Sequence, residues 1–534
     1  MKRKDNIFTS NAMSGVDSNE FDLSHDVKFT ARMGNLTPVT CMEVLPGDSW
    51  NIEFVNLLRF LPLVAPVMHK VRVKTDYFFV PLRILDDGWE PFITGTSTAA
   101  APYVVVDETI GVGSIADYLG IPAGDYTNKN LNMSPYQVAA YIKIWDDWYR
   151  DQNQQAERFV PIVPGDNTSA YYPLLQAAPY RCAWEHDYFT SALPTTQQGT
   201  EVELPLTIQN NIPVEVVGYG NSIPDMLLKH KVTGATLNAQ TLTTDNSGQL
   251  GVQGPPSNIG AVIDPNGSLV VDVQSDAATI NDLRESFSLQ TFLERTLRGG
   301  ARYIEQIFSH FQVKSSDARL DRPELLGRVF QNMTIGEVLS TAQSNNDGST
   351  AEIAVGSMAG HGISVGGSQR ISYTAEEHGF IIGLMSVVPD TAYQDGLHKS
   401  FTRFDRLDYA WPSFAHLGEQ PILNKEVLCH DLNPSEDPEQ VWGYVPRYSE
   451  YRYMPSRVAG EFRKTLSFWT LGRIFNDLVA LNDVPPLNSE FIECNPSTRI
   501  FALTGPEEDH IVAQVINKIS VRRKLPRYGV PSSL

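Results

Sequence analysis

Gly362, Ser364 and Gly366 stand in the spacing Gly-x-Ser-x-Gly. A nucleophile elbow needs that spacing on a sharp strand-to-helix turn, followed by an acid and then a histidine. Asp390 or Asp395 could supply the acid, and His398 or His416 the base, in the right chain order. The flanks argue otherwise, because residues 369–373 and 380–388 read as strands and no helical period follows Ser364. Glu376, Glu377 and His378 place two carboxylates beside an imidazole. Neighbours along a strand point to opposite faces, so only Glu376 and His378 could converge, and two ligands do not hold a metal. Cys429-His430 is a bare pair without a second pair at finger spacing, and no Gly-x4-Gly-Lys-Ser/Thr cradle for a nucleotide phosphate occurs. No cofactor and no metal is expected.

The C-terminal stretch has a different character. After Asp509 there is no further acid, while Lys518, Arg522, Arg523, Lys524 and Arg527 follow, with Tyr528 beside the last. Cations interleaved with an aromatic can hold phosphates and stack a base of a single-stranded nucleic acid. Lys2, Arg3 and Lys4 raise the same question near the start. The competing reading for both clusters is a solvated tail or a clamp on an acidic neighbour.

Positioning any such residues falls mainly to strands. Residues 67–81, VMHKVRVKTDYFFVP, alternate with period two. Val67, His69, Val71, Val73, Thr75, Tyr77 and Phe79 share one face, and Lys70, Arg72, Lys74 and Asp76 lie on the other. That pattern predicts a long strand with one apolar and one charged face, which requires a second layer. Trp50, Ile52 and Phe54 repeat the alternation in 48–55, and the two strands could pair. The wholly apolar run 380–388 reads as a strand buried on both sides, and 511–521 as a closing strand. Between them, Ser134-Pro135 opens a helix carrying Val138, Ile142, Trp145 and Tyr149, and 280–297 is helical up to the break at Gly299-Gly300. A further helical or mixed segment is expected over 463–481. Residues 1–22 read as an extended arm, and 221–276, rich in Gly, Thr, Asn and Gln, as a surface insertion of short ribbons. Strands at both ends with helices and loops between them imply a mainly β fold, in which 23–534 form a single sandwich built from distant halves.

The totals narrow the function. With 42 Lys and Arg against 62 Asp and Glu, the formal charge is −20, so any nucleic-acid contact must be local. Four widely spaced cysteines (Cys41, Cys182, Cys429, Cys494) without a Cys-x-x-Cys pair read as reduced thiols. No apolar run is long enough for a membrane span, and no apolar stretch follows Lys2, Arg3 and Lys4 as a secretion signal would require.

Several blocks together resemble a known family, the major capsid proteins of microviruses, and within it the gokushovirus-like branch. The blocks are FDLSHDVKFTARMGNLTPV (21–39), PLVAPVMHKVRVKTDYFFVPLRIL (62–85), DYFTSALP (187–194) and RGGARYIEQIFSHFQVKSSDARLDRPELLG (298–327). AEEHGFIIG (375–383), FAHLGEQ (414–420), GYVPRYSEYRYMPSRVAGEFR (443–463) and LPRYGVP (525–531) follow in the family's order. Residues 221–276 match nothing in it and resemble the family's variable surface region. The resemblance implies an eight-stranded antiparallel viral jelly roll with large insertions, found in the virion and assembled in a bacterial host's cytoplasm. It further implies self-assembly into a T=1 icosahedral shell around circular single-stranded DNA, with a small basic DNA-packaging protein and a host surface receptor as partners. Two other readings stand beside it: a serine hydrolase using Ser364, and a carbohydrate-binding β-sandwich module.

Overall fold

A computed structural model describes residues 18–199, 202, 280–300, 302–341, 358–368, 370–475, 482–503, 505 and 508–527, with short strand segments between 215 and 270. Lys2, Arg3, Lys4 and Tyr528 lie outside the described residues. The chain forms two compact units, one of residues 1–198 with 295–534 and one of 199–294.

The larger unit is built from antiparallel strands: β1 (Asn19–Asp22), β2 (His25–Ala31), β3 (Thr37–Val44), β4 (Ser49–Phe60) and β5 (Val71–Pro81) come first. Much later come β6 (Glu324–Asn332), β7 (Thr334–Leu339), β8 (Met358–Gly367), β9 (Ile371–Thr374) and β10 (Gly379–Pro389). A small ribbon, β11 (Glu419–Leu423) with β12 (Val441–Pro446), precedes β13 (Ile511–Arg523). One sheet runs β1-β13-β4-β8-β7, with β2 also on β13 and β9 also on β4; the other runs β6-β5-β10-β3. Pro38 falls in β3, an edge strand, where a missing N–H costs no ladder bond.

The two sheets face each other across one core. From β4, Trp50, Ile52, Phe54, Leu58 and Phe60 point inward, and from β13, Ile511, Ala513, Val515, Ile519 and Val521 do so. Val71, Val73, Tyr77 and Phe79 meet them from β5. Strands β4 and β5 therefore do not pair, which corrects the pairing that the sequence allowed. They stack face to face, Phe54 on Tyr77 at 5.2 Å between ring centroids. A polar seam runs through this apolar contact: the Tyr77 hydroxyl donates to Asn517 Oδ1 at 2.5 Å, and Asn56 Nδ2 donates to Thr75 Oγ1 at 2.9 Å.

The charged face of β5 is covered as well. Chain segment 82–180 folds back over the outer face of the β6-β5-β10-β3 sheet. It contributes helices α1 (Ile115–Leu119), α2 (Tyr136–Ile144) and α3 (Thr168–Gln176). Tyr141, Ile142 and Trp145 pack with Phe78, Val80, Ile382 and Leu384 in a second core. Strand β10 is consequently dry on both sides, as its run of apolar residues predicted, with Ser386 its one polar side chain. Asp76 ends fully buried under this layer. Arg328 Nε and Nη2 approach its two oxygens at 2.8 and 3.1 Å, Lys74 Nζ lies 3.4 Å away, and Tyr149 donates its hydroxyl.

The predicted helix after Ser134 is α2, extended by a wider turn over Trp145–Tyr149, and strand β5 starts at Val71 rather than Val67. Within 463–481 the described residues hold one 3₁₀ turn, Ser467–Trp469, after another at Gly460–Arg463, and no longer helix. In the smaller unit, Leu228–His230 pairs with Thr236–Leu237 and Ala261–Ile263, Leu242–Thr244 with Leu250–Val252, and Glu215–Val216 with Leu269–Val270. Helix α4 (Ile280–Gly299) follows.

Replacing Asp76 by Ala removes the buried carboxylate that holds Arg328, Lys74 and the Tyr149 hydroxyl, although Arg328 keeps contact with solvent. Asp76→Ala is expected to cost about 1–3 kcal/mol of subunit stability, read as a lower urea midpoint with unchanged slope.

Candidate assembly and nucleic-acid surfaces

Strand β13 positions most of the basic cluster, and its alternation divides the cluster in two. Val521 points into the core, so Arg522 points out. Arg523 turns back over the edge of the sandwich: its Nη2 reaches Asp48 Oδ2 at 2.6 Å and the Glu43 carbonyl at 3.1 Å. Its guanidinium carbon sits 5.5 Å from the Trp50 ring centroid. Asp48 is buried and also accepts from the Leu45 amide at 3.0 Å, so Arg523 is the counter-charge of a closed turn rather than a free cation. Arg522, Lys524 and Arg527 are exposed. Acids are interspersed on the same sheet: Glu20 lies opposite Arg522, and Glu53 opposite Lys518. Arg527 and Lys518 line an open groove of about 720 Å³ together with Glu20, Asp22, Glu53 and Arg370. Three solvent-facing cations at the end of one strand can hold phosphates.

The remaining sequence candidates are dispersed. Ser364 sits inside β8, where no strand-to-helix turn exists, and its buried hydroxyl donates to the Asn332 carbonyl at 3.2 Å. Asp390 is engaged by Arg72, Asp395 accepts from the Phe475 amide at 2.8 Å, and the His398 ring caps the turn at Ser400. The hydrolase arrangement is therefore not assembled. Glu377 pairs with Arg83 Nε at 3.1 Å, while the His378 ring packs edge-on against Trp89. His430 lies between Asp395 and Asp431. Among the described residues no group of three or more His, Cys, Asp and Glu could hold a metal, and no described helix is long and apolar enough to cross a membrane.

A surface that the sequence reading missed lies around β11 and β12. Phe401, Phe404, Leu407, Tyr409, Trp411, Leu417, Tyr451 and Met454 are all exposed, Phe404 by 88%. Such a concentration exceeds the scattered apolar residues usual on a soluble surface. The loops presenting it are braced. Arg403 Nη2 bonds Glu450 Oε1 at 3.2 Å, and its guanidinium lies 4.3 Å from the Tyr451 ring centroid. Gln420 donates to the other Glu450 oxygen at 2.6 Å, and the Trp411 indole donates to the Arg406 carbonyl at 2.8 Å. Beside this face opens a cavity of about 610 Å³, lined by Tyr188, Phe189, Tyr393, Phe401 and Met454 among others. The signal available in sequence was an apolar-rich stretch, FTRFDRLDYAWPSF (401–414), that fits neither a period of two nor one of 3.6. Aromatic side chains held outward without a period are what an interaction surface requires.

The two kinds of arginine are separable by substitution. Arg523→Ala leaves the Asp48 carboxylate buried and short of its partner, and is expected to cost about 3 kcal/mol in a urea melt. Arg522→Ala, a solvent-facing change, is expected to stay within about 0.5 kcal/mol.

Comparison with known proteins gives one consistent family. The Phage_F family, described as capsid protein (F protein), matches residues 10–533. The chain is 35% identical over 528 residues to capsid protein VP1 of Bdellovibrio phage phiMH2K, covering 96% of this chain and 95% of the relative. It is 33% identical over 599 residues to capsid protein VP1 of Chlamydia phage 1, covering 98% and 97%. Capsid protein VP1 of Spiroplasma virus 4 is 28% identical over 518 residues, covering 90% and 88%.

Proposed function

We propose, from the premise that this chain belongs to the Phage_F capsid protein (F protein) family and is a microvirus major capsid protein, that its copies close into a small T=1 icosahedral shell around circular single-stranded DNA. The observation that carries the reading is the end-to-end match over residues 10–533, which takes in the sandwich and its long excursions alike. Eight longer strands, β2, β13, β4 and β8 opposite β6, β5, β10 and β3, are the candidates for a viral jelly roll.

A closed shell needs heterologous contacts between non-identical patches of identical subunits. The exposed aromatic face around Phe404 and Trp411 is one such patch, and a second copy of this chain is its occupant. Its braced backbone supports this, because little ordering entropy is then lost on docking. Exposed Arg522, Lys524 and Arg527, with Lys2, Arg3, Lys4 and Tyr528, are the DNA-facing set. The formal charge of −20 supports a separate small basic protein that carries much of the counter-charge for packaged DNA. The compact unit 199–294, which includes the stretch 221–276 rich in Gly, Thr, Asn and Gln, is the candidate for meeting a host surface receptor. Assembly in the bacterial cytoplasm agrees with four free cysteines.

Electron microscopy of the purified protein is expected to show closed particles tens of nanometres across. Phe404→Glu puts a charge into the proposed contact, so it should leave the subunit's melting midpoint within about 0.5 kcal/mol of wild type while abolishing those particles. Intact shells from that variant would reject the contact.

Substituting Ala at Arg522, Lys524 and Arg527 together should lower the DNA retained per particle. It should also reduce the slope of log affinity against log salt by about 2, since each lost phosphate contact removes about 0.7 on a single strand. Unchanged DNA content with failed assembly would move these residues to a subunit contact.

A further inference from the structure

Three segments distant in sequence converge at Gly34. Its amide donates to the Val387 carbonyl at 2.9 Å, and its carbonyl accepts from both the Cys182 amide at 2.9 Å and the Cys182 thiol at 3.1 Å. Its φ is +83°, and a Cβ built there would stand 1.9 Å from the Cys494 carbonyl oxygen, so only glycine lets Cys494 approach. Cys494 arrives by a short antiparallel ladder. Ala183 bridges Glu493, the Trp184 amide donates to the Ile492 carbonyl at 2.9 Å, and the Cys494 amide donates to the Cys182 carbonyl at 2.8 Å. That register sets Cys182 directly opposite Cys494 on one face of the ladder. Cross-strand neighbours in such a position have Cα atoms about 5.5 Å apart, inside the span a disulfide bridges. Both are free thiols in the structure, 5% and 0% exposed, and Trp184 packs over them.

We propose that Cys182 and Cys494 form a covalent modification site, a dithiol that a small hydroperoxide converts into an intrachain disulfide in the folded subunit. The Cys182 sulfur, as thiolate, attacks one peroxide oxygen; the O–O bond breaks, and Cys182 sulfenic acid and hydroxide form. The Cys494 sulfur then attacks the sulfenic sulfur, the S–S bond forms, the S–O bond breaks, and the departing hydroxide takes the Cys494 proton as water. Two thiols lose two electrons and hydrogen peroxide is reduced to two waters. The order of attack follows from the surroundings. The facing Cys494 thiol, with the Lys74 ammonium nearby, holds the Cys182 thiol below the usual thiol range, whereas burial pushes the Cys494 thiol up. In a reducing cytoplasm the pair stays as thiols; outside a cell nothing keeps it so. The chemistry needs only the folded subunit and does not depend on shell closure.

The test uses the full chain as Cys429→Ser, which removes the exposed thiol that would link subunits. The protein is treated with hydrogen peroxide, quenched, unfolded in excess N-ethylmaleimide and mapped by mass spectrometry. Untreated protein should take up the label at Cys41, Cys182 and Cys494. Treated protein should keep it at Cys41, whose thiol burial pushes up to about 12, and lose it at the other two. Their peptides should appear joined, with a mass lower by about 2 Da, and dithiothreitol should reverse it. Oxidation of Met68, which is 70% exposed, reports that the dose sufficed. Full labelling of Cys182 and Cys494 at doses that oxidise Met68 would overturn the proposal. So would sulfinic acid at Cys182 without the joined peptide.

Discussion

Along β10 and the second half of β5, neither face of the β6-β5-β10-β3 sheet reaches water, and most of the larger unit follows from that constraint. A strand wet on one side can alternate, but β10 is dry on both and carries Ser386 as its one polar side chain between Phe380 and Val388. Each of Ile381, Ile382 and Leu384 is wholly buried, at roughly 1.5–3 kcal/mol per side chain. One face is covered by the partner sheet. The other needs the long return of residues 82–180, so that excursion is a third layer and not an ornament. Where β5 does carry charge into this layer, at Asp76, the cost of burial is met by Arg328, Lys74 and the Tyr149 hydroxyl acting together.

Much of this was legible in sequence because parity is a local property. Trp50, Ile52 and Phe54, and Ile511 through Val521, are inside as their alternation requires. Pairing is not local, and β4 and β5 are not the neighbours that the sequence allowed: two apolar faces in succession along a chain fit opposite sheets as well as adjacent strands. The cover over the charged parity of β5 is not local either, because nothing within 67–81 says that a helix about 60 residues later will lie across it. The gap at Asn517 in the apolar face of β13 is explained only by its partner Tyr77, on the facing sheet. The same limit applies at the surfaces. Arg523 is indistinguishable from Arg522 in a run of basic residues, and only the turn at Asp48 separates them.

Apolar side chains turned outward are the complement of the buried sheet. A core that satisfies itself so fully leaves binding to excursions, and the residues around Phe404 and Trp411 sit on loops braced by Arg403, Glu450 and Gln420. Rigid loops on a rigid sandwich let one chain present several unlike patches without any change in its interior. Membership of a capsid family gives that division of labour its purpose. The interior must be the same in every copy, while the rim must differ from side to side.

Strand β13 lies between β4 on one side and β1 and β2 on the other, so a segment far along the chain fills the middle of a sheet that the first strands begin. Without residues 511–523, one edge of β4 stands open along nearly its whole length, and β1 and β2 have no strand to pair with. A growing chain can therefore collapse before β13 arrives, but it cannot close this sheet. The N-terminal strands are thus held in the fold through a segment made long after them.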